Sequence, residues 1–281
     1  MTCCVAALAD DRKTLVLIAD RMIGNQVISA EADIQKFLQV HKNWWLMLAD
    51  DPSPATAVAL SVEKSLPKGS VDVKVIEEHF ATALRERRTY EAEARFITPL
   101  NMHVASFFDS GRAKLGGKLF REIEADFAAY QLSLSLIIAG FDADGLGHIL
   151  GVEGRGPRSL RLDHHSLVGY HAIGSGSAGA NFIMTYKDLG PAMPARLVTY
   201  YAFEGKYFGE LAHGVGTDTD IAIVRSGKSK LTYMGPRWVN KKLIPICRKL
   251  QPKFVRKKHA NRLNKLARLE RLSKIKKRDL Q

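Results

Sequence analysis

Two uninterrupted apolar runs separated by four polar residues constrain this chain more than anything else in it: TCCVAALA, then DDRK, then TLVLIAD, covering residues 2 to 20. A strand with one face in water alternates apolar and polar residues, and neither run alternates, so the pattern predicts a hairpin covered on both faces. The first run also begins at residue 2. Chain ends usually fray, so either an edge strand starts early here or the end of the chain has chemistry of its own.

Further strands are expected at about 34 to 40 and 44 to 49, the latter reading WWLMLA. Pro52 and Pro54 then interrupt the strand pattern, and helical spacing follows at 55 to 65 and 73 to 97, the second with Val75, Ile76, Phe80, Leu84 and Tyr90 on one side. One more helix is expected at 114 to 130. After it come a strongly apolar strand at 132 to 139, an Asp- and Gly-rich turn at 141 to 147, and strands at 148 to 153, 159 to 162 and 167 to 172. Helices at 178 to 188 and 193 to 205, then strands at 221 to 225 and 231 to 234, complete the pattern. Strands and helices come in blocks rather than strict alternation. That predicts an α+β architecture of two sheets with helices stacked outside them, not a parallel βαβ sheet.

The chain has 281 residues, 46% of them hydrophobic, enough for one sizeable core. Asp10, Asp11, Arg12, Lys13 and Asp20 rule a secretory leader out of the first twenty residues, and no apolar run is long enough for a membrane span. Cys3, Cys4 and Cys247 are an odd set, and the adjacent pair points to opposite strand faces, which suits neither a disulfide framework nor a metal site. A reducing, cytoplasmic setting is the expectation. His164 and His165 beside Asp163 read as loop residues, because no third ligand stands at a suitable interval, and neither metal nor cofactor is expected.

The formal charge of +13 is not evenly spread: residues 237 to 281 hold 17 Lys or Arg against Glu270 and Asp279, a net of +15, and the preceding 236 residues carry −2. Within this tail Leu263, Leu266, Leu269, Leu272 and Ile275 recur every three residues, an interval that walks around a helix instead of holding one face. Two readings fit. The tail is a solvated, partly helical or disordered extension, or it engages nucleic-acid phosphates through Arg256, Lys257, Lys258, Lys274, Lys276, Lys277 and Arg278. An acidic partner or an anionic membrane surface is the further alternative.

Thr2 would present both its hydroxyl and a free α-amine if Met1 were removed. An α-amine with a pKa of about 8 is partly neutral at physiological pH and can accept the hydroxyl proton, so one residue supplies nucleophile and base.

The hairpin TCCVAALADDRKTLVLIADR, the lysine sixteen residues beyond its aspartate (Asp20 to Lys36), the hairpin LIIAGFDADGLGHILGV and the cluster AIGSGSAGA together resemble the β-type subunits of proteasomes. They are similar also to the peptidase subunit of the bacterial ATP-dependent two-component protease. The likeness covers about residues 2 to 225. It implies a four-layer αββα sandwich of the N-terminal-nucleophile hydrolase type over 1 to 236, with the basic tail as an addition. It further implies that Thr2 is the nucleophile, that Lys36 favours its alkoxide-like form, that Asp20 holds the ammonium, and that Ser175 relays the amine's proton. Gly174 and Gly176 flank that serine and allow close backbone approach, and Ser177 is the expected N-cap of the next helix.

Two departures from that family stand out. Its glycine-rich turn after the fourth strand, where a backbone N–H stabilises an oxyanion, reads here Leu48-Ala49-Asp50-Asp51, so Asp50 is the candidate donor. Where proteasome subunits place an aspartate and a serine, this chain has His213-Gly214-Val215-Gly216, with Asp218 as the candidate substitute. The implied activity is that of a threonine-type peptidase acting on peptides or unfolded proteins. Its implied setting is a homo-oligomeric ring fed by an ATP-dependent unfoldase. A noncatalytic subunit of the same fold, associated with nucleic acid through its tail, is the alternative.

Overall fold

The computed structural model describes residues 2–24, 29–31, 36–154, 160–228 and 231–245. The chain divides into two units, 1–236 and 237–281. In the second, the described residues form short helical turns, and Cys247 and the seven basic residues named for nucleic acid lie outside the described part.

The first unit is α+β, with two five-stranded antiparallel sheets. One is ordered β10-β1-β2-β11-β12, from β1 (Cys4–Ala9), β2 (Thr14–Asp20), β10 (Tyr170–Ile173), β11 (Thr219–Arg225) and β12 (Thr232–Met234). The other is ordered β5-β6-β7-β8-β9, from β5 (Phe37–His41), β6 (Trp44–Asp50), β7 (Leu134–Phe141), β8 (Gly147–Glu153) and β9 (Leu162–His164).

The opening hairpin is covered on both faces. Cys4, Ala6 and Leu8 of β1 with Leu15 and Leu17 of β2 share one core with Trp45, Met47, Ile137 and Ile149 of the other sheet. On their other side β1 and β2 lie against α6 (Ala195–Gly209), which packs closely on α5 (Ser177–Tyr186). The outer face of the second sheet, including Trp44, Leu46, Leu136 and Ile138, packs against Val58, Ile76, Phe80 and Leu84 of α1 (Pro52–Ser65) and α2 (Val73–Ala92). Burying one such large side chain contributes about 1.5–3 kcal/mol. The turn of the first hairpin is fixed by Asp10, whose carboxylate accepts from Thr14 Oγ1 at 2.8 Å and from the Ala195 N–H at 2.9 Å. Among the described residues no helix is long and apolar enough to cross a membrane.

Several boundaries differ from the sequence expectation for local reasons. The helix expected from 55 already starts at Pro52, because Pro needs no N–H in the first turn and Asp51 caps it by accepting from the Ser53 N–H. The helix expected at 114 to 130 is α4 (Gly117–Ala129), and an unforeseen helix, α3 (Val104–Leu115), precedes it, the two parted at Gly116, whose φ of 77° is left-handed. The helix expected to reach 97 ends at Ala92 in a π-helical turn, Glu93–Ile97. Ser177 is the first residue of α5 and not its N-cap, which is Gly176 without a side-chain bond. A small hairpin, β3 (Met22–Gly24) with β4 (Ser29–Glu31), was not foreseen.

His164 pairs with Glu77 at 2.9 Å, and His165 stacks on His171 with ring centroids 3.7 Å apart. Both stacked rings crowd Gly151, where a Cβ would stand 2.7 Å from His171 Nε2. Burial, with the neighbouring His165 ring adding to it, lowers the His171 pKa to about 3. The unfolded chain then binds a proton at pKa about 6.5 that the folded chain refuses, so stability falls as pH drops below about 6.5, by up to about 1.4 kcal/mol per unit. Urea denaturation at pH 7, 6 and 5 should show this loss in the parent chain and a shallower one in His171→Phe.

Candidate active site

The antiparallel ladder around β1 gathers the candidate residues. Cys4 stands opposite Ala19 on β2 and opposite Ile173 on β10. Continuing both strands past that register brings Asp20 to one side of Thr2 and the turn Gly174 to Gly176 to the other. The second sheet supplies Lys36, immediately before β5.

Thr2, Asp20 and Lys36 are all buried. Thr2 Oγ1 donates to Asp20 Oδ1 and accepts from Lys36 Nζ. Lys36 Nζ also donates to Asp20 Oδ1 at 2.8 Å, so hydroxyl, ammonium and carboxylate form a closed triangle. Asp20 takes three more donors: the Cys3 N–H at 3.0 Å on Oδ1, and the Met22 and Gly216 N–H groups at 3.3 and 2.9 Å on Oδ2. Five donors on one buried carboxylate hold it oriented.

Ser175 is exposed while the residue it serves is buried. Its Oγ accepts from the Thr2 nitrogen at 3.2 Å and donates to the Thr2 carbonyl at 3.3 Å. The Gly176 N–H donates to the same carbonyl at 3.1 Å. This approach requires glycine: a Cβ on Gly174, whose φ is 88°, would lie 2.4 Å from the Thr2 carbonyl oxygen. One on Gly176 would lie 2.8 Å from Cys3 Cβ.

The two departures read from the sequence resolve differently. Asp50 ends β6 with φ 66°, a left-handed conformation of the kind a glycine adopts freely. Its exposed carboxylate accepts from Ser135 Oγ at 2.9 Å. The strand leading to it adjoins the site, since the Leu48 N–H donates to the Lys36 carbonyl at 3.2 Å and the Leu48 carbonyl accepts from Cys4 Sγ at 3.4 Å. In the HGVG segment the group that reaches the site is the Gly216 N–H, through Asp20. Asp218 is half-buried and its carbonyl accepts from the Arg21 N–H at 3.1 Å.

Cys3 and Cys4 are free and face opposite sides, as their adjacency on a strand requires. Burial pushes the Cys3 thiol up to about 12 and raises that of Cys4 as well, so neither is a thiolate at neutral pH. Among the described residues no cluster of three His, Cys, Asp or Glu has the placement to hold a metal.

One residue escaped the sequence reading. Lys206 on α6 is wholly buried and bonded to the segment that carries Gly216. In sequence it stands four residues before Glu210, a spacing that signals an exposed helix pair. Nothing local separates the two cases.

No protein-family model matches the chain, and a search of curated proteins finds no match.

Gly174→Ala should destabilise the fold by about 2–4 kcal/mol in chemical denaturation, from positive φ and backbone overlap together. Gly190→Ala, with nothing within 4 Å of the added carbon, should change stability by less than about 0.5 kcal/mol.

Proposed function

We propose that the chain is a threonine-type N-terminal-nucleophile amidohydrolase, with Thr2 as nucleophile once the bond between Met1 and Thr2 is cut. The observation that carries this reading is the triangle of Thr2 Oγ1, Lys36 Nζ and Asp20 Oδ1, with Ser175 on the Thr2 nitrogen. An ordinary ion pair between strands needs no hydroxyl bridging its two charges, nor a serine on the backbone nitrogen of that hydroxyl's own residue.

In this reading the freed amine takes the proton of Oγ1 as Oγ1 attacks an amide carbonyl carbon. Lys36 stays an ammonium and steadies the developing negative charge on the nucleophile. Collapse of the tetrahedral adduct breaks the C–N bond, and the amine passes its proton to the leaving nitrogen. An ester to Thr2 remains. Water then attacks that ester, giving its proton to the amine, and Oγ1 leaves reprotonated. Ser175, on the nitrogen and partly in solvent, is placed to relay that proton. The Asp50 N–H is the proposed donor to the oxyanion.

The order of packing, helices against sheet against sheet against helices, supports assigning the α+β fold to the four-layer N-terminal-nucleophile type. The resemblance extends the proposal to a peptide or unfolded-protein substrate, a homo-oligomeric ring, an ATP-dependent unfoldase and a cytoplasmic setting. For the tail, binding to nucleic-acid phosphates is the proposal that its charge supports.

Mass spectrometry of the purified chain should find Met1 absent, and a threonine-directed covalent probe should label Thr2. Thr2→Ala should not be labelled, and Lys36→Ala should be labelled about 100- to 1,000-fold more slowly. Retained Met1, or equal labelling of Thr2→Ala, would favour the noncatalytic alternative.

A further inference from the structure

Lys206 carries the buried amino group of α6. It lies on α6 with no measurable exposure, where an ammonium without partners would cost several kcal/mol. Its three N–H donors meet three acceptors, each at 2.7 Å: Glu210 Oε1, the Gly216 carbonyl and Thr219 Oγ1. Glu210 lies one turn further along and balances the charge. The other two acceptors belong to the segment that enters β11.

That segment is the one that touches Asp20 from behind. Thr219 stands opposite Asp20 across the β2–β11 ladder, and the Gly216 N–H donates to Asp20 Oδ2 at 2.9 Å. Asp20 therefore divides its work between two oxygens. Oδ1 faces Thr2, Cys3 and Lys36, and Oδ2 is pinned by the Met22 and Gly216 backbones. With Oδ2 released, the carboxylate turns about its Cα–Cβ and Cβ–Cγ bonds, and the contacts on Oδ1 turn with it.

We infer that Lys206 is a positioning residue for the site: by gripping Gly216 and Thr219 it holds the Gly216 N–H against Asp20, which fixes Lys36 against Thr2 Oγ1. This rests on the proposed role of Thr2, and it adds a lysine from the opposite side of the sheet to the machinery. A staple joining α6 to β11 for stability alone would act on the folded fraction of the protein and leave the rate within folded molecules unchanged.

The test compares the full-length parent with Lys206→Met, Thr219→Val and Thr219→Ser, using the threonine-directed probe and amide hydrogen exchange at Gly216. The maximal labelling rate per folded molecule should fall about tenfold in Lys206→Met and Thr219→Val, the scale of one charge-assisted hydrogen bond. The probe concentration at half-maximal rate should stay put, because Lys206 does not face the ligand. Thr219→Ser keeps the acceptor oxygen and should label as the parent does. The Gly216 amide should exchange about tenfold faster in the two damaged variants. A folded Lys206→Met or Thr219→Val that labels at the parental rate overturns the inference. If Lys206→Met does not fold, Thr219→Val decides. If the parent itself is not labelled at Thr2, the catalytic reading fails, and Gly216 exchange alone decides whether the lysine holds that amide.

Discussion

The carboxylate of Asp20 is the interaction on which the site depends. It is buried at the end of a central strand, and five donors from four parts of the chain converge on it. An unpaired carboxylate there would cost several kcal/mol, and removing one partner from a buried pair typically costs about 3–5 kcal/mol. The same arrangement that meets this cost also orients Lys36 toward a hydroxyl. Stability and the proposed chemistry would then be served by one set of hydrogen bonds.

The sheets make this convergence hard to avoid. Register along β1 fixes Thr2 between Asp20 and the turn holding Ser175, and a slip by one residue would send Cys4, Ala6 and Leu8 out of the shared core. The glycines at 174 and 176 let two backbones meet where side chains would collide. On the far side, α6 reaches the same carboxylate through Lys206 and Gly216, so helix, loop and both sheets bear on a single hydroxyl.

Much of this was legible before any coordinates. The double-faced apolar hairpin called for two covered faces, and the block order of strands and helices called for two sheets. Residues within the motifs that resemble proteasome β-type subunits were the easiest to find: Asp20 and Lys36 were reached through that resemblance, and Thr2 also through the chemistry of a freed α-amine. Contacts fixed by the remote return of the chain were not. Gly216 lies 196 residues from Asp20 and contributes a backbone N–H, which has no signature in residue type. Lys206 was not singled out, because burial of a helix face depends on what packs over it. The helix that begins at Pro52 was expected only from 55, because proline, a breaker inside a helix, is tolerated in its first turn. The three-residue strands β3 and β4 are too short for alternation to register.

The central claim is that Lys36, held by Asp20, presses its ammonium on the hydroxyl of a threonine that attacks carbonyl carbon. A crystal structure of the protein soaked with a peptide aldehyde tests it most directly. The account predicts a covalent bond from Thr2 Oγ1 to the aldehyde carbon, with Lys36 Nζ about 3 Å from that oxygen and still bonded to Asp20. An aldehyde bound elsewhere, or a Lys36 turned away from Oγ1 with Asp20 paired to other groups, would contradict it.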